Sequence, residues 1–276
     1  MFCLKHITSL KHSQITDLRE FKILQSFLRY HGRPQSIIEL LGYRSDPASA
    51  IMSNVLILEF CEFSLDDLIR GLRPAVASEK KSTQSYISLH EISSITLSIS
   101  SALGFLENIG ISHNDVKSSN ILWKKNTSVW KLADFGSARN IPFQNKNRKI
   151  GTLSSSSPEL FMGSKDIGSK SDVWSFGCVL WECVNLIFPF DFNDLHAFQN
   201  GYQTSSQFPV IKLIRPIPNS PKSRRIITQH IITHMLEPNI SKRWNASQCT
   251  ELIKIIDTLK NDEHLESYIS VRARDI

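Results

Sequence analysis

The sequence predicts a two-lobed α+β fold, with strands first and helices afterward. Three observations carry this reading. Short apolar runs of strand length fall early, at 37–42 and 55–60. From residue 89 onward, apolar positions recur mostly at helical spacing. The chain has 276 residues, 41% of them hydrophobic, which is enough to give each lobe a core.

Residues 1–7 read as the end of a short strand. A helix is predicted over 16–30, because Leu18, Phe21, Leu24 and Leu28 recur at three- and four-residue steps. Pro34 interrupts it, and the runs at 37–42 and 55–60 read as strands. Ser64, with Asp67 three residues on, matches a helix N-cap and capping box ahead of Leu68 and Ile69. Residues 72–87 are rich in Ser, Lys, Pro and Ala and read as a solvated loop. The next helix runs from Leu89 to Asn108. It buries Ile92, Ile95, Ile99, Leu103 and Leu106, and Gly110 ends it. Two short strands flank the loop around residue 115. A polar segment extends to Ser157, and the remainder is helical apart from a loop over 205–221.

Net charge is +6 and the isoelectric point is near 9.1. The lysines and arginines are scattered, with no aromatic platform among them, which argues against specific nucleic-acid binding. Five cysteines (Cys3, Cys61, Cys178, Cys183, Cys249) make an odd number with no C-x-x-C pair. That pattern points to reduced thiols inside a cell and away from a disulfide framework or zinc site. No signal peptide is predicted, because no long apolar run follows a basic start. No run reaches the length of a membrane span. The expectation is a cytoplasmic or nuclear protein without membrane contact.

The chemistry concentrates in ISHNDVKSSNIL, residues 111–122, followed by LADFG, residues 132–136. One short loop holds a carboxylate, a lysine and an amide. A second carboxylate follows before a glycine. Such a set suits phosphoryl transfer from a metal-bound nucleotide. In order, spacing and flanking apolar residues it resembles the catalytic loop and D-F-G element of eukaryotic protein kinases.

That resemblance implies a bilobal kinase-like fold. Residues 1–60 would be a truncated N-terminal β lobe of three strands and one helix, and residues 61–276 a mainly α C-terminal lobe. It implies ATP and Mg2+ as cofactors and a protein as substrate. Asp115 would accept the hydroxyl proton, Lys117 would neutralise the migrating phosphoryl group, and Asn120 and Asp134 would hold metal. FCLK, residues 2–5, is similar to the family's V-A-I-K strand, so Lys5 would bind phosphates and pair with Glu20 on the following helix. Residues 56–62 resemble the adenine-binding strand and hinge. Leu58 would be the gatekeeper, the backbones of Glu59 and Cys61 would bond adenine, and Leu122 would lie beneath the base. Lys117, with Thr152 after Gly151, implies a serine or threonine hydroxyl as acceptor. Ser157-Pro158-Glu159 resembles A-P-E, with Glu159 paired to a buried Arg243. Asp172 would bond the catalytic-loop backbone.

Three departures stand out. No G-x-G-x-x-G occurs, and the first strand is the one carrying Lys5. A fragment or mis-started reading frame is the favoured account, because the remaining chemistry is intact. A strand borrowed from a partner and a pseudokinase scaffold are the alternatives. Asn114 stands where regulated kinases carry arginine, which predicts activity independent of phosphorylation within 137–157. Residues 151–157 lack the W/Y-x-R pattern of cyclin-dependent and MAP kinases. The asparagine-for-arginine change, the missing glycine loop and the divergent N-terminal lobe look similar to fungal single-subunit kinases that activate cyclin-dependent kinases, a resemblance that implies a cyclin-dependent kinase as a partner.

Overall fold

A computed structural model describes residues 1–8, 18–46, 53–77, 87–141, 155–161, 168–190 and 222–259. The N-terminal part is a small antiparallel sheet with one helix against it. Strands β1 (Phe2–Thr8), β2 (Leu40–Asp46) and β3 (Ser53–Glu59) lie in the order β1-β3-β2. Lys5 pairs with Leu56 and Cys3 with Leu58, so these four share one face. Leu56 and Leu58 are buried there, whereas Phe2 and Leu4 on the other face are exposed. Helix α1 (Arg19–Phe27) covers the inner face with Phe21, Ile23, Leu24 and Phe27. Phe21 meets Tyr43 of β2 edge-on, with ring centroids 4.7 Å apart.

Helix α1 is shorter than the predicted 16–30. It stops at Phe27, with Leu28 as its C-cap, and a turn leads to Gly32 in the left-handed region. The strand predicted at 37–42 is displaced. Ile37 makes an isolated parallel bridge to Leu132, and β2 starts only at Leu40. Ile37 and Ile38 are apolar because they are buried between the two parts of the molecule, not because they lie in the sheet.

Strand β4 (Phe63–Ser64) leads into α2 (Leu65–Ala77). The capping box is present. Ser64 Oγ accepts from Asp67 N at 3.2 Å, and Asp67 Oδ2 accepts from Ser64 N at 2.9 Å. Residues 72–77 continue this helix, which corrects the loop expected there. Apolar spacing through Leu65, Leu68, Ile69 and Leu72 overrides the loop-like composition. Residues 78–86, and the loop expected at 205–221, lie outside the described residues.

Helix α3 (Leu89–Asn108) has the predicted bounds and buried stripe. Ser88 caps it, accepting from Glu91 N at 3.1 Å. Gly110 follows at φ +69, a conformation that suits glycine after a helix. Strand β5 (Ile111–Ser112) pairs with β8 (Arg139–Asn140), and β6 (Ile121–Lys124) forms a hairpin with β7 (Val129–Leu132). The β5–β8 pair was not visible in the polar composition after Gly136.

Helices α4 (Pro158–Phe161), α5 (Ser169–Asn185), α6 (Lys222–His230) and α7 (Glu251–Leu259) complete the C-terminal part. Residues 171–185 of α5 are buried throughout, so this helix is the core of the large part. Gly177 lets it approach the π-helical turn Ile231–Met235. A Cβ there would lie 2.9 Å from Met235 Cβ.

Candidate active site

The loop between β5 and β6 is pinned from beneath by α5. Asp172 accepts from Ser112 Oγ at 2.9 Å, His113 N at 2.7 Å and Asn114 N at 2.8 Å. Burial pushes its carboxyl up to about 6, against the pull of those three donors. Asn114 holds φ +61, which asparagine tolerates better than most residues. Its side chain donates to Ser112 O at 3.1 Å and to Ser137 O at 3.4 Å.

His113 is fully buried, and its ring meets Phe135 at 4.8 Å. Desolvation lowers its pKa to about 4, so the ring is neutral near pH 7. Nδ1 accepts from Asp115 N at 3.3 Å, and Nε2 therefore donates to Ala133 O at 3.0 Å. This neutral ring ties the loop to the segment carrying Asp134.

Two charged clusters meet across that tie. In one, Lys117 Nζ lies 2.8 Å from Asp115 Oδ2. Asn120 Nδ2 donates to Asp115 O at 2.8 Å and to Asp115 Oδ2 at 3.1 Å. In the other, Lys5 Nζ contacts both oxygens of Glu20 at 2.8 Å and Asp134 Oδ1 at 2.7 Å. The clusters are joined by Ala133 N donating to Asn120 O at 2.9 Å. Asp134 is the next residue, at φ +63, with its Oδ1 also 3.3 Å from Gly136 N.

The electrostatics follow burial. Desolvation opposes charge on Lys5, but Asp134 and Glu20 outweigh it and hold its pKa above the usual lysine value. In Glu20, burial prevails over Lys5 and raises the carboxyl. In Asp134 the same burial effect is overcome by Lys5, and the carboxyl is lowered. Exposure accounts for the contrast, since the Glu20 side chain is 7% exposed and that of Asp134 42%. Glu20 keeps its place because α1 is docked by Phe27, whose ring lies 5.1 Å from Phe135.

Residues 60–62 connect β3 to β4. Phe60 O accepts from Lys124 Nζ at 2.7 Å, and Glu62 N donates to Trp123 O at 2.9 Å. Between them, the backbone N–H and C=O of Cys61 have no hydrogen-bond partner among the described residues. Burial and then Glu59 push the Cys61 thiol up to about 11, so it is a neutral wall group rather than a nucleophile. Leu58 is buried on the face shared with Lys5, and Leu122 is half-buried against the core. The Glu59 side chain points into an ion cluster with Lys131 and Lys124.

A protein kinase domain model matches residues 1–252. The chain belongs to the protein kinase family. It is 30% identical over 175 residues to Homo sapiens cyclin-dependent kinase 9, covering 61% of this chain and 43% of that protein. It is 28% identical over 259 residues to Schizosaccharomyces pombe serine/threonine-protein kinase ppk23, covering 86% of this chain and 60% of that one. The chain thus spans less than two thirds of either curated relative.

Within the kinase domain the A-P-E-like segment is anchored as the sequence suggested. Arg243 Nη1 and Nη2 meet Glu159 Oε1 and Oε2 at 2.6 and 2.9 Å, and Ser171 Oγ donates to Glu159 Oε1 at 2.8 Å. Thr152 lies outside the described residues. The donor set at the kinase cleft fits magnesium. Asn120 commits its Nδ2 to Asp115, which leaves Oδ1 without a hydrogen-bond partner among the described residues. With the half-exposed carboxylate of Asp134 it offers two hard oxygen donors. No group of three His, Cys, Asp or Glu side chains suited to a metal occurs among the described residues. A site with few protein ligands is how magnesium is usually held, with waters and substrate phosphates filling the rest.

Proposed function

We propose that this kinase domain transfers the γ-phosphoryl group of ATP to a serine or threonine hydroxyl of a protein. The observation that carries the reading is the junction of the Asp115–Lys117–Asn120 loop with Asp134 through the Ala133–Asn120 bond. It brings a proton acceptor, a cation and two metal-binding oxygens to neighbouring backbone positions. The substrate oxygen attacks the γ-phosphorus, the bond to the ADP oxygen breaks, and the hydroxyl proton passes to Asp115. Lys117 offsets charge on the migrating phosphoryl group. Lys5, oriented by Glu20, meets the nucleotide phosphates. Asn120 and Asp134 would hold the magnesium ions, which neutralise the phosphates when bound. Cys61 and Glu59 would meet the adenine edge through their backbones, above Leu122. Residues 1–60 serve as the small lobe and 61–276 as the large one.

Lys117, two residues after Asp115, favours serine or threonine over tyrosine as acceptor, and the name of the Schizosaccharomyces pombe relative agrees. Unpaired cysteines are consistent with a cytoplasmic or nuclear location. A finer reading gives the protein a cell-cycle role, with a cyclin-dependent kinase as its substrate. Support comes from neutral Asn114 and from the resemblance to kinases that activate cyclin-dependent kinases. Peptides from the activation segments of those kinases test it, and a lack of preference for them removes it.

The main test is Asp115→Asn with radiolabelled ATP and a peptide library. Transfer should fall by on the order of 10²–10⁴-fold, while MgATP binding persists. Equal transfer by variant and wild type would remove Asp115 from its role. Failure of the wild type to transfer at all would favour a scaffold.

A further inference from the structure

The ion cluster behind the hinge has no part in the chemistry just described, yet it is built from three buried or nearly buried charges. Glu59 closes β3 and opens the hinge. Its Oε1 accepts from Lys131 Nζ at 2.7 Å and from Glu39 N at 2.9 Å. Its Oε2 faces Lys124 Nζ at 3.7 Å. Both lysines also hold backbone carbonyls. Lys131 reaches Gln35 O at 2.5 Å, and Lys124 reaches Phe60 O at 2.7 Å.

The partners come from three places. Glu59 and Phe60 belong to the hinge, Gln35 and Glu39 to the linker between α1 and β2, and Lys124 and Lys131 to the β6–β7 hairpin of the large lobe. Backbone bonds run alongside. Leu132 N donates to Ser36 O at 2.7 Å, and Ile38 N donates to Leu132 O at 3.0 Å. The cluster therefore binds small lobe, hinge and large lobe at one point. Its side chains are 7%, 10% and 17% exposed for Lys131, Glu59 and Lys124. Screening by water is weak there, so the attractions are stronger than those of surface pairs.

We propose that Lys131 and Lys124 are positioning residues for the nucleotide. Through Glu59 and Phe60 O they clasp the hinge so that Cys61 presents to the adenine edge an N–H and C=O that no other described residue engages. This rests on the reading of the cleft as an ATP site. The device is a charge clasp on the lobe junction. Fixing the hinge in its bound shape before the nucleotide arrives lowers the ordering cost of binding.

The stoichiometry makes the proposal specific. Two lysines share one carboxylate. Removing Lys124 leaves a balanced Glu59–Lys131 pair. Removing Lys131 leaves Glu59 with a lysine 3.7 Å away that can move in. Removing the carboxylate leaves two lysines with little water around them. The perturbation should therefore rank Glu59→Gln above Lys131→Met above Lys124→Met.

Two readouts on the full chain test this. The first is hydrogen exchange at the Glu59 and Glu62 amides without nucleotide, which does not depend on the ATP reading. Exchange should quicken in the stated order, while α5 amides stay protected. The second is the KM for ATP, which should rise roughly three- to tenfold in Lys131→Met with kcat held within about twofold. Lys254→Met, which breaks the exposed Lys254–Glu251 pair, is the control and should leave both unchanged. Should Glu59→Gln fail to fold, Lys124→Met and Lys131→Met still give the ranking. Unchanged hinge exchange in both lysine variants overturns the clasp. A wild type that shows no MgATP binding overturns the ATP reading instead, and the exchange result then stands by itself.

Discussion

Replacing Arg243 with methionine should cost this kinase about 3–5 kcal/mol. Arg243 is fully buried, and Glu159, its partner, is 6% exposed. The guanidinium meets both carboxylate oxygens and also donates to Glu237 O and Lys170 O, with Trp174 5.0 Å beneath its plane. Methionine would preserve much of the volume and none of the donors. Glu159 would keep Ser171 Oγ as its one side-chain partner among the described residues. For a domain of this size, the loss corresponds to a melting shift of roughly 6–20 °C. A pH series adds a second check. Burial raises the Glu159 carboxyl, but Arg243 outweighs it and lowers the pKa below its unfolded value. Its contribution is therefore complete above the ordinary glutamate value of 4.5 and fades as pH falls through the lower folded value. In Arg243→Met burial is opposed only by the Ser171 hydroxyl and a backbone N–H, so the folded pKa rises from its wild-type position and the acid-side stability that Arg243 supplied is lost. Differential scanning calorimetry from pH 3 to 8 reads both. A melting temperature within about 2 °C of wild type at pH 7 would refute the buried-pair account. The double variant Glu159→Leu/Arg243→Met should recover much of the loss, because no lone buried charge remains.

Three further outcomes follow from other parts of the site. The pKa of His113 lies near 4, below the unfolded value near 6.5, so its neutral form favours the fold. That contribution is complete above pH 6.5 and shrinks by about 3 kcal/mol as pH falls through 4, readable in urea titrations of wild type against His113→Phe. Asp172 opposes this trend, since a carboxyl raised to about 6 gains protons on folding, and the His113→Phe comparison removes it from the difference. Lys5→Met should lower kcat by on the order of 10²–10³-fold, because Glu20 and Asp134 lose their shared cation. A stopped-time transfer assay showing less than a twofold change would exclude Lys5 from phosphate handling. Phosphatase treatment should leave activity unchanged, since Asn114 meets the Ser137 carbonyl directly and carries no charge for a phosphate. Loss of activity after treatment, with the melting curve intact, would contradict that.

Much of the cleft was legible because its chemistry resides in side chains that have few other reasons to cluster. Asp115, Lys117, Asn120 and Asp134 announced themselves by type and spacing. Lys5 and Glu20 could be matched because a strand and the next helix sit at a fixed interval. The hinge was legible only by resemblance, since backbone groups such as those of Cys61 leave no trace in residue type. Glu59 read as a hinge residue through its backbone alone, and the charge partners of its side chain in the β6–β7 hairpin are too distant in sequence for any local pattern to show them. Nor did composition reveal that Arg139 and Asn140 pair with β5, since two residues are too few to display alternation. The run at 37–42 misled for a plain reason. Apolar character reports burial, and Ile37 and Ile38 are buried at a junction rather than in the sheet.

Magnesium-dependent ATP binding by wild type and by Asp134→Asn, followed by calorimetric titration, tests the assembled cleft most directly. Wild type should bind ATP far more tightly with magnesium than without it. The variant should lose that difference while its unfolding temperature stays close to wild type. Binding indifferent to magnesium, or a variant that keeps the full magnesium effect, would contradict a site in which the carboxylate after Ala133 and the amide of Asn120 share the metal-bound nucleotide.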